Sequence, residues 1–144
     1  MAIEDTNAII NTYLKAQTTL TDIVSARIYA GRMPENATLP AVSYATRGGT
    51  SNPHLPGMVT VSVQFDCWAE QVGTVSGPIG ARAVYNALQY CLQGIQNKKV
   101  TVGGSDYYIK LCREEVAGQD LMDQEIITHF KVLSFYQFQI AAIT

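Results

Sequence analysis

The stretch VQFDCWAE, residues 63 to 70, places a carboxylate, a thiol and the only tryptophan of the chain at three consecutive positions. A cysteine nucleophile needs a neighbouring base, most often histidine, and the only imidazoles are His54 and His129. One falls in a predicted loop and the other in a predicted strand, and lone cysteines and histidines are more often packing residues. The chain also lacks a phosphate loop and the GxSxG, HExxH and GxGxxG motifs. We therefore expect neither an enzyme nor a protein that binds a cofactor.

The three cysteines are far apart in sequence and form no CxxC pair. An odd number of cysteines cannot make a fully paired disulfide framework, so we expect reduced, buried thiols at Cys67, Cys91 and Cys112. The first ten residues carry acids where a secretory signal would carry lysine or arginine. We expect the chain to be made and kept in a cytosol, with no membrane span.

The segment REEVAGQDLMDQE, residues 113 to 125, is strongly acidic. Its spacing does not match a calcium-binding EF-hand loop, so we expect no metal site. An acidic loop is most often solvated, but these side chains could also face a partner or line a channel. The acids are Glu114, Glu115, Asp120, Asp123 and Glu125.

The composition favours contact with other proteins over contact with nucleic acid. Charged residues make up 15% of the 144 residues, against about 25% in an average globular protein, and the net charge is −2. Such a chain has no strong positive field to attract DNA. Its length predicts one domain, residues 1–144.

Hydrophobic spacing predicts two main helices. Ile9, Ile10, Tyr13 and Leu14 recur at helical spacing behind a candidate cap at Asp5–Thr6. A short helical turn is predicted from Thr21. The longer helix is predicted to begin after a Ser76 cap with an early proline, and to bury one stripe of side chains. The predicted stripe is Ile79, Ala83, Val84, Ala87, Leu88, Cys91, Leu92 and Ile95.

Alternating patterns predict the strands. Short strands are predicted in RIYAGR and AVSYATRG, and a long one from Met58 to Ala69, whose odd-numbered residues face the core. Gly103–Gly104 predicts a tight hairpin turn, and IITHFKVLSFYQFQIAAI predicts a long last strand. Residues 49–57 and the acidic segment are predicted to be exposed loops. The order predicts an α+β fold, a mainly antiparallel sheet backed by one long helix plus an N-terminal helix.

Several of these segments together resemble the tail completion proteins of tailed phages, including the tail terminators of long-tailed phages. They are LTDIVSARIYAGRMPENATLPAVSYATRGG, VTVSVQFDCWAE, ARAVYNALQYCL and FKVLSFYQFQI. The similarity extends over nearly the whole chain, and its most recognisable parts are Leu20 to Pro40 and the QFDCWA strand end.

The resemblance implies a structural subunit of the virion, assembled in the host cytoplasm. It implies a homo-hexameric ring, which ends growth of the tail tube and joins it to the head-closure or neck protein. Genome DNA would pass through its lumen without specific binding. A neighbouring neck protein, either a head-closure or an adaptor subunit, is the alternative.

Candidate contact residues follow from that expectation. Trp68 either completes the subunit's own core or contacts a neighbouring subunit, and both remain open. The candidate interface residues are Arg47, His54, Asp66, Trp68, Asp120 and Asp123, and the candidate lumen residues are Glu114, Glu115 and Glu125.

Overall fold

A computed structural model describes residues 6–31, 33–34, 37–52, 55–72, 76–122 and 128–142. It contains three helices and six strands. The helices are α1 (Thr6–Lys15), α2 (Thr18–Val24) and α3 (Gly77–Leu92). The strands are β1 (Ile28–Ala30), β2 (Ala41–Asn52), β3 (Leu55–Glu70), β4 (Gln96–Val102), β5 (Ser105–Met122) and β6 (His129–Ala142).

The six strands form one mixed sheet in the order β1-β2-β3-β6-β5-β4. All neighbouring strands are antiparallel except β1 and β2, which are parallel. The predicted α+β class is confirmed. Three helices accompany the sheet rather than two, because the segment expected to make only a helical turn forms α2 from Thr18 onward.

Alternation along β3 and β6 positions the core. Val63, Phe65 and Cys67 are fully buried on β3, and Tyr136 and Phe138 are fully buried on β6. The ring of Phe65 meets that of Tyr136 edge to face, with centroids 5.5 Å apart. These side chains, together with the buried faces of α1, α2 and α3, form one hydrophobic cluster. The predicted core face of β3 is confirmed.

The start of α3 agrees with its sequence signals. The Ser76 hydroxyl accepts a hydrogen bond from the backbone N–H of Ile79 at 3.4 Å, and Pro78 lies in the first turn. The predicted inward stripe is wrong at two positions, since Ile79 is 73% exposed and Ala83 is also exposed. Tyr85 and Ala81 are buried instead, so the inward face is rotated relative to the prediction.

All three cysteines are free and buried, as predicted. Burial raises the pKa of the Cys67, Cys91 and Cys112 thiols. Beside them, the Tyr13 hydroxyl donates to the carbonyl of Cys91 at 2.8 Å, and burial raises the pKa of Tyr13 to about 12. The thiolate form is therefore disfavoured at all three cysteines.

The predicted loop at residues 49–57 is wrong in most of its length. Strand β2 continues to Asn52 and β3 begins at Leu55, so the two strands form a long hairpin. A β-bulge between Thr46 and Gly48 shifts their register, and Gly48 has a positive φ of 109°. Glycine is required at position 49 because the backbone of β3 lies close to it. A Cβ at this position would lie 1.9 Å from the carbonyl oxygen of Thr60.

The predicted acidic loop is also wrong up to residue 122. Strand β5 runs from Ser105 to Met122 and pairs with β6, with register shifts between Ile109 and Leu111 and at two points from Glu114 to Gln119. These bulges break the alternation of polar and apolar residues, so the segment does not have a strand-like sequence pattern. The predicted Gly103–Gly104 turn between β4 and β5 is confirmed, with positive φ at both glycines.

Candidate interaction surfaces

The sheet face opposite α3, which we call the outer face, carries three of the six candidate interface residues. On β3 and β6 its side chains alternate with the buried core residues, and all of them are partly exposed. On β3 they are Ser62, Gln64, Asp66 and Trp68, and on β6 they are Lys131, Leu133, Phe135, Gln137 and Gln139. The outer face therefore mixes amides, a few charges and large apolar groups.

Two outer-face residues contact the indole of Trp68. Its Nε1–H donates to the Ser43 hydroxyl at 3.0 Å, and the Lys131 ammonium lies 5.0 Å from its ring centroid. The same ammonium lies 3.9 Å from Oδ2 of Asp66. Trp68 is thus held on the outer face and does not enter the core beneath α3.

Burial affects the ionisation of Asp66. Its Oδ1 is buried and has no hydrogen-bond partner among the described residues. Desolvation raises the pKa of Asp66, although Lys131 and the Gln64 side chain act in the opposite direction. The charged form of this carboxylate is therefore less stable here than in water.

At the other end of the outer face, three long side chains contact residues of other strands. The guanidinium of Arg47, positioned by the β2 bulge, lies 4.2 Å from the ring centroid of Phe135 on β6. Glu115 on β5 accepts a hydrogen bond from the Ser62 hydroxyl at 2.6 Å. Arg113 on β5 donates to the Gln137 amide oxygen at 2.9 Å. These contacts cross between strands, so they order the polar side chains above Phe135.

Glu114 faces the helix side of the sheet instead. Its Oε2 accepts from the hydroxyls of Tyr85 and Tyr136, the latter at 3.2 Å, and its Oε1 accepts from the Gln89 amide at 3.1 Å. The Tyr85 hydroxyl also accepts from the backbone N–H of Gly118 at 3.1 Å. We call these residues the Glu114 network.

Burial is the main reason that the pKa of Tyr85 and that of Tyr136 are raised, and Glu114 adds to both shifts. Both phenols therefore stay protonated and serve as donors to the carboxylate. This arrangement joins α3 to β5 and β6 and holds a carboxylate at a partly buried position.

Asp120 lies on the same side of the sheet as the Glu114 network. Its carboxylate lies 2.9 Å from Nε of Arg82 on α3, with Asp120 64% exposed in its side chain. Arg82 also donates to the carbonyl of Gly118 at 3.0 Å. An ion pair this exposed contributes little to stability, so its main effect is to orient Arg82.

The predicted contact residues therefore divide into three sets. Arg47, Asp66, Trp68 and Glu115 share the outer face, whereas Glu114 and Asp120 face α3. The structure does not bring the acids of residues 113–122 onto one surface, because successive strand residues alternate between faces. His54, Asp123 and Glu125 lie outside the described residues.

Sequence reasoning missed a second exposed surface, on α3. Ile79 is 73% exposed and Tyr90 is 78% exposed, and Val72 just before the helix is 59% exposed. A signal was available, since Arg82 is the only charged residue among the 16 of α3. A solvent-facing helix side normally carries several charges.

The chain offers no site for a metal ion in the part that the structure describes, since no three His, Cys, Asp or Glu side chains gather there. None of the described helices has the length and apolar character required to cross a membrane. No protein-family model matches the chain, and no curated protein is significantly similar to it in sequence.

Proposed function

We propose that this chain is a structural subunit of a phage tail that forms a homo-hexameric ring at the head-proximal end of the tail tube. The ring ends growth of the tube and joins the tail to the head-closure or neck protein. In this proposal the subunit resides in the virion, and α3 is the long helix that backs its sheet.

One observation carries the proposal, the chemistry of the outer face. Leu111 and Val116 of β5 are 38% and 46% exposed, and Leu133 and Phe135 on the neighbouring strand β6 are partly exposed. Val116 is paired directly with Phe135. Exposed apolar and aromatic side chains interspersed with amides and an arginine are typical of protein–protein interfaces.

The sequence supports the same proposal independently. Four segments spread over nearly the whole chain resemble tail completion proteins, and 15% charged residues is low for a protein surrounded by water. The buried cysteines, each with a raised pKa, also favour a structural role over a nucleophilic one.

The test uses a phage that encodes this chain. Particles made without the protein are expected to carry tails of irregular length that fail to join heads, and the purified protein added to those tails should form a ring at one end. Electron microscopy measures tail length and counts subunits in the ring. Headed tails of normal length in the absence of the protein would contradict the proposal.

A matched pair of variants examines the outer face. Val116→Arg places a charge beside Phe135 and should prevent attachment of the ring to the tail tube or the neck protein while the subunit stays folded. Thr12→Arg places the same charge on the exposed side of α1 and should leave this attachment intact. Equal attachment by both variants would exclude the outer face as the surface that contacts these partners.

A further inference from the structure

An exposed stripe without charge runs the length of α3. Ile79, Ala83, Asn86 and Tyr90 recur at intervals of four, three and four residues, and all four are exposed. This spacing places them on one side of the helix. We call them the α3 stripe. The one charged residue of the helix, Arg82, is directed to Asp120 and Gly118 on β5.

A groove opens beside the first half of the stripe. It has a volume of about 380 Å³ and is lined mainly by apolar side chains from α2, the Leu39–Pro40 segment, the end of β3 and α3. The lining residues are Ile23, Leu39, Pro40, Ala69, Glu70, Val72, Ser76, Gly80 and Ala83. Among the described residues of the lining, Glu70 supplies the one ionisable group.

The stripe and the groove are chemically complementary. Tyr90 presents a large apolar ring with one hydroxyl donor, and the groove presents apolar walls with one carboxylate acceptor. Ala83 belongs to both the stripe and the groove, whereas Tyr90 lies about 10 Å further along the helix axis. Tyr90 therefore cannot fill the groove of its own subunit, but it can fill the groove of another copy.

We propose that Tyr90 of one copy inserts into the groove of the next copy, with its hydroxyl donating to Glu70 there. This inference rests on the proposed function in so far as a ring consists of successive copies in contact. The two halves of the contact are different surfaces of the same chain, so the contact is heterologous, and such contacts generate rings when the rotation closes.

The area of the contact fits an anchor within a larger interface. A buried tyrosine covers about 150–250 Å², whereas a stable interface buries about 800 Å² on each partner. The remainder of the α3 stripe and the exposed rim of the groove, including Ile79 and Val72, extend the same uncharged surface. Tyr90 is then expected to be the hot spot, because central aromatic side chains carry most of the binding energy.

Two complementary variants test the contact. Tyr90→Ala removes the inserted ring, and Val72→Arg blocks the groove with a charge, and both positions are exposed enough to leave the fold intact. Each variant alone should associate about 30-fold or more weakly than the wild type, as analytical ultracentrifugation would measure. In an equimolar mixture, the two variants should form a dimer and no larger species. One variant keeps the Tyr90 side chain and the other keeps the open groove, so only one contact can form.

Other outcomes would overturn the inference. Association of each variant at wild-type strength would exclude both surfaces, and loss of association without recovery in the mixture would indicate a symmetric contact between two α3 helices. A wild-type chain that stays monomeric at about 1 mM would exclude a specific contact between copies. Binding of only the tail tube protein at the groove would assign it to that partner instead.

A cysteine pair adds a direct measurement. Tyr90→Cys and Val72→Cys in one chain should cross-link into a ladder of oligomers under mild oxidation, whereas either single variant should not. The native thiols are buried and do not interfere. If the ladder forms but phage tails are unaffected by loss of the protein, the contact stands and the proposed function fails. If tails need the protein but no ladder forms, the proposed function stands and the contact fails.

Discussion

At the scale of single residues, two of the candidate contact carboxylates are partly buried in the protein. Glu114, which the sequence predicted for a lumen, accepts from two tyrosines and a glutamine beneath α3. Asp66, predicted for an interface, is largely surrounded by protein and has an oxygen without a partner among the described residues. Each carboxylate leads to a different measurement.

The Tyr85→Phe variant should lower the free energy of unfolding by about 1–3 kcal/mol, because it removes a donor to Glu114 and leaves the backbone N–H of Gly118 unpaired. Urea unfolding of the monomer measures the change. Tyr90→Phe is the control, since Tyr90 is 78% exposed and should change stability by less than about 0.5 kcal/mol. Equal effects of the two variants would contradict a structural role for the Glu114 network.

Asp66→Asn should be more stable than the wild type at pH 7, and this advantage should disappear as the pH falls toward 3.8. Burial raises the pKa of Asp66 above its ordinary value of 3.8, so the folded state holds the proton more tightly than the unfolded chain. The ionised carboxylate is therefore a net cost above the folded-state pKa, and acidification through that pKa removes the cost.

Asp106→Asn provides a control of opposite sign. The Thr101 hydroxyl, with Lys99, lowers the pKa of Asp106, so its carboxylate stabilises the fold at neutral pH and loses that effect in acid. Urea unfolding at several pH values compares the two variants. A parallel pH dependence in both would show that Asp66 is not destabilised by burial.

At the scale of secondary structure, a strand could be predicted from sequence where buried and exposed residues alternate without interruption. Val61 to Cys67 alternate cleanly, and β3 lies where the pattern predicts it. Strand β5 could not be recognised beyond residue 113, because its bulges displace the alternation. The sequence from Gly48 to Thr50 resembles a loop because its glycines accompany a bulge and its residues are exposed.

The outer face was predictable only in part for a similar reason. Asp66 and Trp68 could be assigned to the face opposite the core from the period of two alone. The approach of Arg47 to Phe135 depends on the strand order, in which residues 88 positions apart lie across a third strand, and on a bulge. Neither feature leaves a local pattern in the sequence.

Gly49→Ala tests the bulged hairpin. A methyl group there would meet the backbone of Thr60 and Val61, which cannot move without separating β2 from β3, so we expect a loss of at least about 2 kcal/mol. Thr50→Ala, at an exposed neighbouring position, should change stability by less than about 0.5 kcal/mol. Thermal unfolding measures the stability of both variants. A similar, small loss of stability in both would show that β2 and β3 are not in close contact at Gly49.

At the scale of the whole molecule, the chain has few charges and a slightly negative total. The net charge is −2, and the described acids are distributed between the two faces of the sheet. In the proposed ring through which DNA passes, a subunit with this net charge would not attract phosphates strongly.

Purified protein should therefore not retain duplex DNA on a filter or in a gel, even at low salt, where contacts with phosphate are strongest. A variant with lysine in place of Gln64 and Gln137 on the outer face is the positive control, because it adds two basic groups there. Tight binding by the wild type that weakens steeply as salt is raised would indicate a protein that handles DNA.

The reactivity of the three buried cysteines can measure local opening of the fold. Cys67, Cys91 and Cys112 lie on β3, α3 and β5, one in each of three elements that meet in the core. A thiol that is both shielded and held in its protonated form reacts with an alkylating reagent only during excursions that expose it. The labelling rate at each cysteine consequently measures how often that element separates from the others. Equal rates at all three would mean that the sheet and helix open as one cooperative unit, and a faster rate at Cys112 would identify the bulged strand as the first to detach.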